Sequence, residues 1–116
     1  MSTPPQRNTV LFSRLFDFFC RWHIYAKKFP KSDRYTIAHK VSDSLLELLT
    51  VIMRAQYLSR EQARFQLIQV SPRLDEVKIL IRLSARLRII PEKTYLDLEE
   101  ELDEVGRMLG GWIRSI

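Results

Sequence analysis

A chain of 116 residues is long enough to bury one core, so we expect a single domain. Its only cysteine, Cys20, excludes an intramolecular disulfide and a cysteine-cluster metal site, and it fits a reducing compartment. No run approaches the roughly 20 apolar residues of a membrane span, and the N-terminal sequence lacks a small-residue cleavage site. We therefore expect a cytoplasmic protein that is neither secreted nor membrane-spanning.

The net charge of +5 is unevenly distributed along the chain. Residues 1–88 contain 16 Lys and Arg against 7 Asp and Glu, which gives +9, whereas residues 89–116 contain 3 against 7, which gives −4. A basic body attracts polyanions, and an acidic segment either pairs with that body or repels the same ligands. Solvated helix faces account for these totals equally well, so charge alone leaves both interpretations open.

The N-terminal third is predicted to be a tail followed by an aromatic helix. Residues 1–8 contain two prolines and mostly polar neighbours, which predicts a disordered tail. From Thr9, apolar and aromatic residues recur at helical spacing and predict a first helix, with Cys20 interpreted as a core residue. The first helix ends at the segment AKKFPKSDRY, because Pro30 disfavours a helical conformation at Phe29.

The middle of the chain is predicted to form two longer helices. An apolar stripe predicts a second helix over residues 33–57. Ser59 and Gln62 have the spacing of a capping box, so a third helix is expected over residues 60–87. Pro72 lies inside it, and we expect a kink rather than a break because one stripe continues through the proline. That stripe comprises Leu67, Val70, Leu74, Val77, Ile81 and Ser84.

A fourth helix is expected to begin near Pro91, since proline is favoured in a first turn. Its apolar residues alternate spacings of three and four, which is typical of near-antiparallel packing. They are Tyr95, Leu98, Leu102, Val105, Leu109 and Trp112. We therefore predict an all-α fold, an up-down-up-down antiparallel four-helix bundle formed by residues 9–116.

The three glycines of the chain all lie in this fourth helix, where each costs roughly 1 kcal/mol relative to alanine. Gly106 and Gly110 fall beside the apolar stripe that ends at Trp112. We expect Gly106, Gly110 and Trp112 to take part in a close helix contact, within the bundle or with another subunit. Gly111 is near enough to the end to loosen the last turn.

The third helix carries more apolar surface than a bundle needs, because its apolar residues cover roughly two thirds of its circumference. Such an arc predicts a second buried contact, most simply with another copy of the chain. The rest of the circumference is almost purely cationic. Its basic residues are Arg60, Arg64, Lys78, Arg82 and Arg86.

These basic residues are candidates for binding nucleic-acid phosphates. Arginines at four-residue steps repeat every ~6 Å along a helix, close to the phosphate spacing of a strand, and they donate without reading bases. A second basic cluster, at the turn between the first two helices, comprises Lys27, Lys28, Lys31 and Arg34. The alternatives are that the third-helix stripe pairs with the acidic run DLEEELDE, in the same chain or a neighbour, and that the second cluster is only a soluble loop.

An enzymatic role has weak support in the sequence. Arg34 and His39 have the R-x4-H spacing of some helical ribonucleases, but five residues of regular helix turn the two side chains about 140° apart. We therefore expect no catalytic residue and place His39 at a surface or an interface. His23 and His39 are the only histidines, and no glycine-rich phosphate loop is present, so neither a metal nor a cofactor is expected.

Two stretches carry a resemblance to a known family. FPKSDRYTIAHKVSDSLLELL and LDEVKILIRLSARLRIIPEKTYLDLEEELDEVGRMLGGWIRS resemble the small four-helix-bundle proteins that include Avd, the accessory protein of diversity-generating retroelements. The family also includes proteins encoded by intervening sequences in bacterial ribosomal RNA genes. The resemblance spans roughly residues 22–115 and is most specific at FPK with Arg34-Tyr35 and at GRMLGGWI.

The resemblance to Avd implies a homo-oligomer, a barrel-like pentamer, that binds RNA or DNA and partners the retroelement's reverse transcriptase in mutagenic copying. The alternative branch implies a structural or ribosome-associated protein without catalytic activity. No matching position carries a catalytic role in either branch. The resemblance therefore implies partners for this chain and no active site.

Overall fold

The computed structural model describes residues 9–116, and all regular structure in these residues is helical. The described chain forms four long helices. Their segments are Thr9–Lys27 in the first, Lys31–Asp33, Arg34–Ala38 and His39–Ala55 in the second, Arg60–Val70 and Pro72–Arg86 in the third, and Glu92–Ser115 in the fourth. The predicted disordered tail, residues 1–8, lies outside the described residues.

The third helix continues through Pro72, as the unbroken apolar stripe predicted. Ser71 has helical backbone angles, φ −51° and ψ −40°. Its N–H donates to the Leu67 carbonyl at 3.0 Å, and its own carbonyl accepts from the Leu74 N–H at 3.0 Å. The Leu74 bond reaches back three residues instead of four, so the hydrogen-bond pattern changes locally at the proline while the backbone stays helical. At the start of this helix the predicted cap is also present, because the Ser59 hydroxyl accepts from the Gln62 N–H at 3.2 Å.

The second helix departs from regular α-helix near its start. Residues Arg34–Ala38 form a π-helical turn, in which the His39 N–H donates to the Arg34 carbonyl, five residues back. The Arg34 side chain donates to the carbonyls of Lys27 and Phe29, at 3.0 and 3.1 Å, and so caps the end of the first helix. The sequence pattern contained no sign of this turn.

The core is built from the predicted stripes of the second, third and fourth helices. The first helix contributes Leu11, Leu15, Phe18 and Trp22 to this core. The Trp22 ring packs edge-on against Phe29, with ring centroids 5.5 Å apart, and its indole N–H donates to Ser42 at 3.0 Å. The interpretation of Cys20 as a core residue is wrong, because it lies on the opposite side of the first helix and is exposed.

Contacts between helices follow chain order, so each helix packs against its neighbours in sequence and the first also packs against the fourth. Lys40 lies 3.7 Å from Glu76, and Arg73 lies 3.0 Å from Glu47. Moving forward along the second helix therefore means moving backward along the third. The start of the second helix consequently lies beside the end of the third.

The glycines of the fourth helix differ in their surroundings. A Cβ at Gly106 would lie 3.5 Å from Leu74 Cδ2 and 3.4 Å from Lys78 Nζ, so Gly106 faces the third helix. A Cβ at Gly110 or Gly111 would meet only the Arg114 side chain, on the same helix. Trp112 is buried in the core. Within the described chain the predicted helix contact therefore involves Gly106 and Trp112, and for Gly110 only the subunit contact is left as an expectation.

Candidate nucleic-acid interface

The third-helix cations divide into two groups that serve different purposes. Lys78 Nζ lies 3.2 Å from a carboxylate oxygen of Asp103, in the acidic run of the fourth helix. Arg64 donates to the carbonyl of Ile113 at 2.8 Å, near the end of the same helix. Both side chains thus connect the third helix to the fourth. For Lys78 the alternative interpretation, pairing with the acidic run, is the one observed.

Arg82 and Arg86 are exposed and border an open groove of about 640 Å³ at the end of the third helix. Arg88, just beyond the helix, borders the same groove. The structure shows no ion pair for these three arginines within the described residues. The remaining lining residues are Ile79, Leu83, Ala85, Glu92 and Tyr95. Three guanidinium groups around one open surface suit an extended ligand that carries more than one anionic group.

The second basic cluster is only partly available to a ligand. Lys27, Lys28 and Lys31 are exposed. Arg34 already donates to two backbone carbonyls, as described above, so its guanidinium has a structural role as a cap. A planar guanidinium has five N–H donors, and these two bonds leave others that a phosphate can still accept.

The two basic clusters lie at the same end of the molecule. The turn between the first and second helices is at the start of the second helix, and the pairing of Lys40 with Glu76 places that start beside the end of the third. We call this region the basic end. It comprises Lys27, Lys28, Lys31, Arg34, Arg82, Arg86 and Arg88. In the sequence these residues form two separate clusters, and Arg88 belongs to neither.

Arg60 does not join the basic end. It is exposed in the first turn of the third helix, 26 positions before Arg86. At 1.5 Å per residue this separation is about 39 Å along the helix axis. The predicted stripe of five cations is therefore not one continuous surface, because its ends are far apart and two of its members, Arg64 and Lys78, contact the fourth helix.

Tyr95 is the one groove residue with a resolved change in acidity. Its hydroxyl donates to the Glu99 carboxylate, which raises the pKa of the phenol, and partial burial raises it further. The positive charge of Arg82 acts in the opposite direction and lowers the pKa of Tyr95. Tyr95 is thus a neutral hydrogen-bond donor at the edge of a cationic groove and does not act as an acid near neutral pH.

Carboxylates and arginines lie side by side in a depression between the first and fourth helices. Arg21 pairs there with Glu101, and Arg107 pairs with Glu104 at 2.6 Å. Asp97 and Glu100 line the same depression. Arg14 lines it as well, so cations of the chain itself largely balance the carboxylates of this depression.

The structure adds two features that bear on metal and membrane binding. No group of three or more His, Cys, Asp or Glu side chains in residues 9–116 is arranged to hold a metal ion. Among the described helices, none combines the length and the apolar character needed to cross a membrane.

Arg88 was not predicted as a site residue, because it belongs to the loop after the third helix and lies outside the helical stripe. The sequence does indicate where this helix ends. A hydrophobic residue commonly follows the position that ends a helix, and Ile89 and Ile90 follow Arg88 directly. The π-helical turn at Arg34–Ala38 also places residues five apart nearer to one face than a regular helix does. The 140° divergence expected for Arg34 and His39 therefore does not apply, although the Arg34 side chain is directed to the first helix.

Comparison with known proteins assigns the fold to a family. No curated protein and no solved structure matches the chain. A family model described as bAvd-like matches residues 9–116, which is every residue of the four helices and extends beyond the segments that carried the resemblance. The chain therefore belongs to the bAvd-like family.

Proposed function

We propose that this protein is the accessory protein of a diversity-generating retroelement, where it binds nucleic acid through phosphates and docks the reverse transcriptase for mutagenic retrohoming. The observation that carries the proposal is the basic end, where two clusters that are distant in sequence come together. Membership of the bAvd-like family supports the same role. The protein acts without catalysis, since binding and docking need no reacting group and no cofactor. We place it in the cytoplasm, where a retroelement transcript is available.

Homo-oligomerisation is part of this proposal, with a pentamer as the expected assembly and up-down-up-down order in each subunit. The third helix supports it, because large apolar side chains on its outer side are exposed in the single chain. They are Phe65, Ile68, Ile79, Leu83 and Leu87, each at least 40% exposed. A row of this length favours a helix-sized partner surface. Gly110, which has no close neighbour from another helix of its own chain, suits the same assembly.

The decisive experiment compares charge reversal at the two ends of the bundle. The double variant Arg82→Glu/Arg86→Glu changes the basic end, and Arg54→Glu/Arg60→Glu makes the same change in charge at the other end. We expect the first to weaken binding to RNA and to DNA about 100-fold at ~0.1 M salt, and the second to have little effect. Fluorescence anisotropy measures the affinity, and circular dichroism checks that both variants keep their helicity.

Equal losses in the two double variants would show that total charge matters and the basic end does not. Affinity that does not change as salt is raised would exclude phosphate contacts altogether. Replacing all of Arg60, Arg82 and Arg86 with glutamate should abolish binding while assembly persists.

The reverse transcriptase is tested separately from nucleic-acid binding. A reverse-transcriptase gene beside a template repeat in the genomic neighbourhood favours the accessory role, and coexpression should then copurify the two proteins. An insertion within a ribosomal RNA gene favours the other branch of the family.

A second candidate is a structural or ribosome-associated oligomer in which charge holds the subunits together. The pairing of Lys78 with Asp103 supports this candidate, because it shows charge complementarity between one cation of the third helix and the acidic run. If this complementarity operates between subunits, high salt dissociates the assembly. Size-exclusion chromatography at low and high salt distinguishes the two candidates, because an assembly formed by apolar contacts persists or tightens in salt.

A further inference from the structure

The third helix ends in an unusual way at Arg88. Its φ is 62°, and it is the only non-glycine residue with positive φ in the described part of the chain. The Arg88 N–H donates to the Ala85 carbonyl at 2.9 Å, and the Ile89 N–H donates to the Ser84 carbonyl at 2.9 Å. These two bonds define a Schellman motif, the helix ending in which the left-handed position is most often glycine.

An arginine at this position destabilises the fold relative to glycine. A left-handed backbone brings Cβ close to the following carbonyl oxygen, and glycine avoids this because it has no Cβ. The cost is not offset by packing or hydrogen bonding of the side chain, since Arg88 is exposed and the structure shows no side-chain hydrogen bond or ion pair for it within residues 9–116. A cation near the end of a helix is favourable, but Arg86 already supplies one in the last turn.

The left-handed turn places Arg88 where the helix itself could not place a residue. The chain reverses direction there, and Arg88 borders the same groove as Arg82 and Arg86. Glu92 is the one carboxylate on the lining, so three guanidinium groups face a single negative charge.

We propose that Arg88 is a phosphate-binding residue of this groove, retained at a strained helix end because its guanidinium completes the site. The ligand is the phosphodiester backbone of a nucleic-acid strand, which follows the two helix arginines and then contacts Arg88 beyond the last turn. This inference rests on the proposed function, and it adds a residue that helical periodicity does not predict.

The proposal requires that replacing Arg88 with glycine stabilises the fold and weakens binding. Arg88→Gly relieves the backbone strain and should raise the melting temperature by about 4 °C. The same substitution should weaken binding of short single-stranded RNA and DNA of mixed sequence by roughly tenfold at ~0.1 M salt. It should also reduce the slope of log affinity against log salt by about 0.7, the loss of one phosphate contact.

A matched pair of variants separates this site from the general effect of charge. Arg88→Gln and Arg54→Gln each remove one exposed arginine charge, at opposite ends of the bundle. We expect Arg88→Gln to lose about tenfold in affinity and Arg54→Gln less than about twofold. Arg88→Lys keeps the charge and the strain, so it should retain most of the affinity without gaining stability.

The outcomes distinguish the inference from the function on which it rests. If Arg82→Glu/Arg86→Glu abolishes binding but Arg88→Gln behaves like Arg54→Gln, Arg88 is not a contact and the inference fails alone. If the wild-type protein binds neither RNA nor DNA at low salt, the proposed function fails as well. An unchanged or lower melting temperature for Arg88→Gly would overturn the claim that stability is given up at this position.

Discussion

The two sides of the third helix contain similar residues in different environments. The inner side, with Leu67, Leu74 and Ile81, is almost completely buried against the second and fourth helices. The outer side, with Phe65, Ile79 and Leu83, is exposed in the single chain. Both sides read as apolar at helical spacing. The side of a helix that forms the core is therefore decided by the neighbouring helices, and the other side is available for a partner.

The basic residues of the same helix show the same division. Lys78 and Arg64 point toward the fourth helix and bind its side chains and backbone. Arg82 and Arg86, four and eight residues beyond Lys78, border the open groove. By spacing alone, all four residues lie on one polar face. The position of the fourth helix divides them into two structural residues, which contact it, and two candidate binding residues, which border the groove.

The largest expected difference between the two sides is in stability. Ile81→Ala removes side-chain atoms from a position that is 1% exposed and should cost about 3 kcal/mol of unfolding free energy. Ile79→Ala, at 66% exposure, should cost less than about 0.5 kcal/mol in the monomer while weakening self-association. Urea unfolding measures the first effect and analytical ultracentrifugation the second. Similar losses of stability would mean that the outer side is part of a folding unit larger than one chain.

Gly106 and Gly110 extend this comparison to the fourth helix. Gly106→Ala places a Cβ at ordinary contact distance from Leu74 and should raise stability by about 1 kcal/mol through helix propensity. Gly110→Leu instead adds a bulky side chain where no other helix of the same chain approaches, and it should disrupt assembly. Thermal unfolding and light scattering measure the two effects. An intact oligomer with a higher melting temperature for Gly110→Leu would remove Gly110 from the subunit contact.

The paired and open cations should also separate, with smaller changes in free energy. Lys78 and Asp103 are 32% and 45% exposed, so breaking their ion pair with Lys78→Gln should cost only about 0.5 kcal/mol. It should leave nucleic-acid binding nearly unchanged. Arg82→Gln should do the reverse, with no measurable effect on stability and a clear loss of affinity. If Lys78→Gln weakened binding as much as Arg82→Gln, the ion pair would have to open when the ligand binds.

The sequence was sufficient for features that depend on one helix at a time. The buried residues from Leu67 to Ser84, the cap at Ser59, the continuation through Pro72 and the core position of Trp112 all follow from periodicity and local hydrogen bonding. The family resemblance was confirmed over a longer stretch than the one that suggested it.

Features that depend on lateral neighbours were not predictable in the same way. Periodicity places Lys78 and Arg82 on one polar face, but their roles differ because Lys78 forms an ion pair with Asp103 of the fourth helix and Arg82 borders the groove without one in the described part of the chain. Cys20 was assigned to the core because its helix is aromatic on a wide arc, and the structure buries the other side of that arc. The two basic clusters lie at one end because the second helix runs antiparallel to the third, and periodicity does not predict that direction.

The smallest predicted effect concerns Tyr95, on the edge of the groove formed by the outer side of the third helix. Its pKa is raised above the usual 10.0, mainly because its hydroxyl donates to Glu99, so the folded state favours the protonated phenol. This contribution to stability is fully present below pH 10 and is lost as the pH rises through the higher pKa of the folded state. Tyr95→Phe should therefore remove part of the alkaline loss of stability.

Arg82 lowers the pKa of Tyr95, so Arg82→Gln should raise it further, whereas Lys78→Gln should not. Ultraviolet titration of the phenolate, with Tyr95→Phe as the blank, measures this shift. A shift in the pKa of Tyr95 with Lys78→Gln but not with Arg82→Gln would mean that Lys78, and not Arg82, is the cation that acts on the phenol.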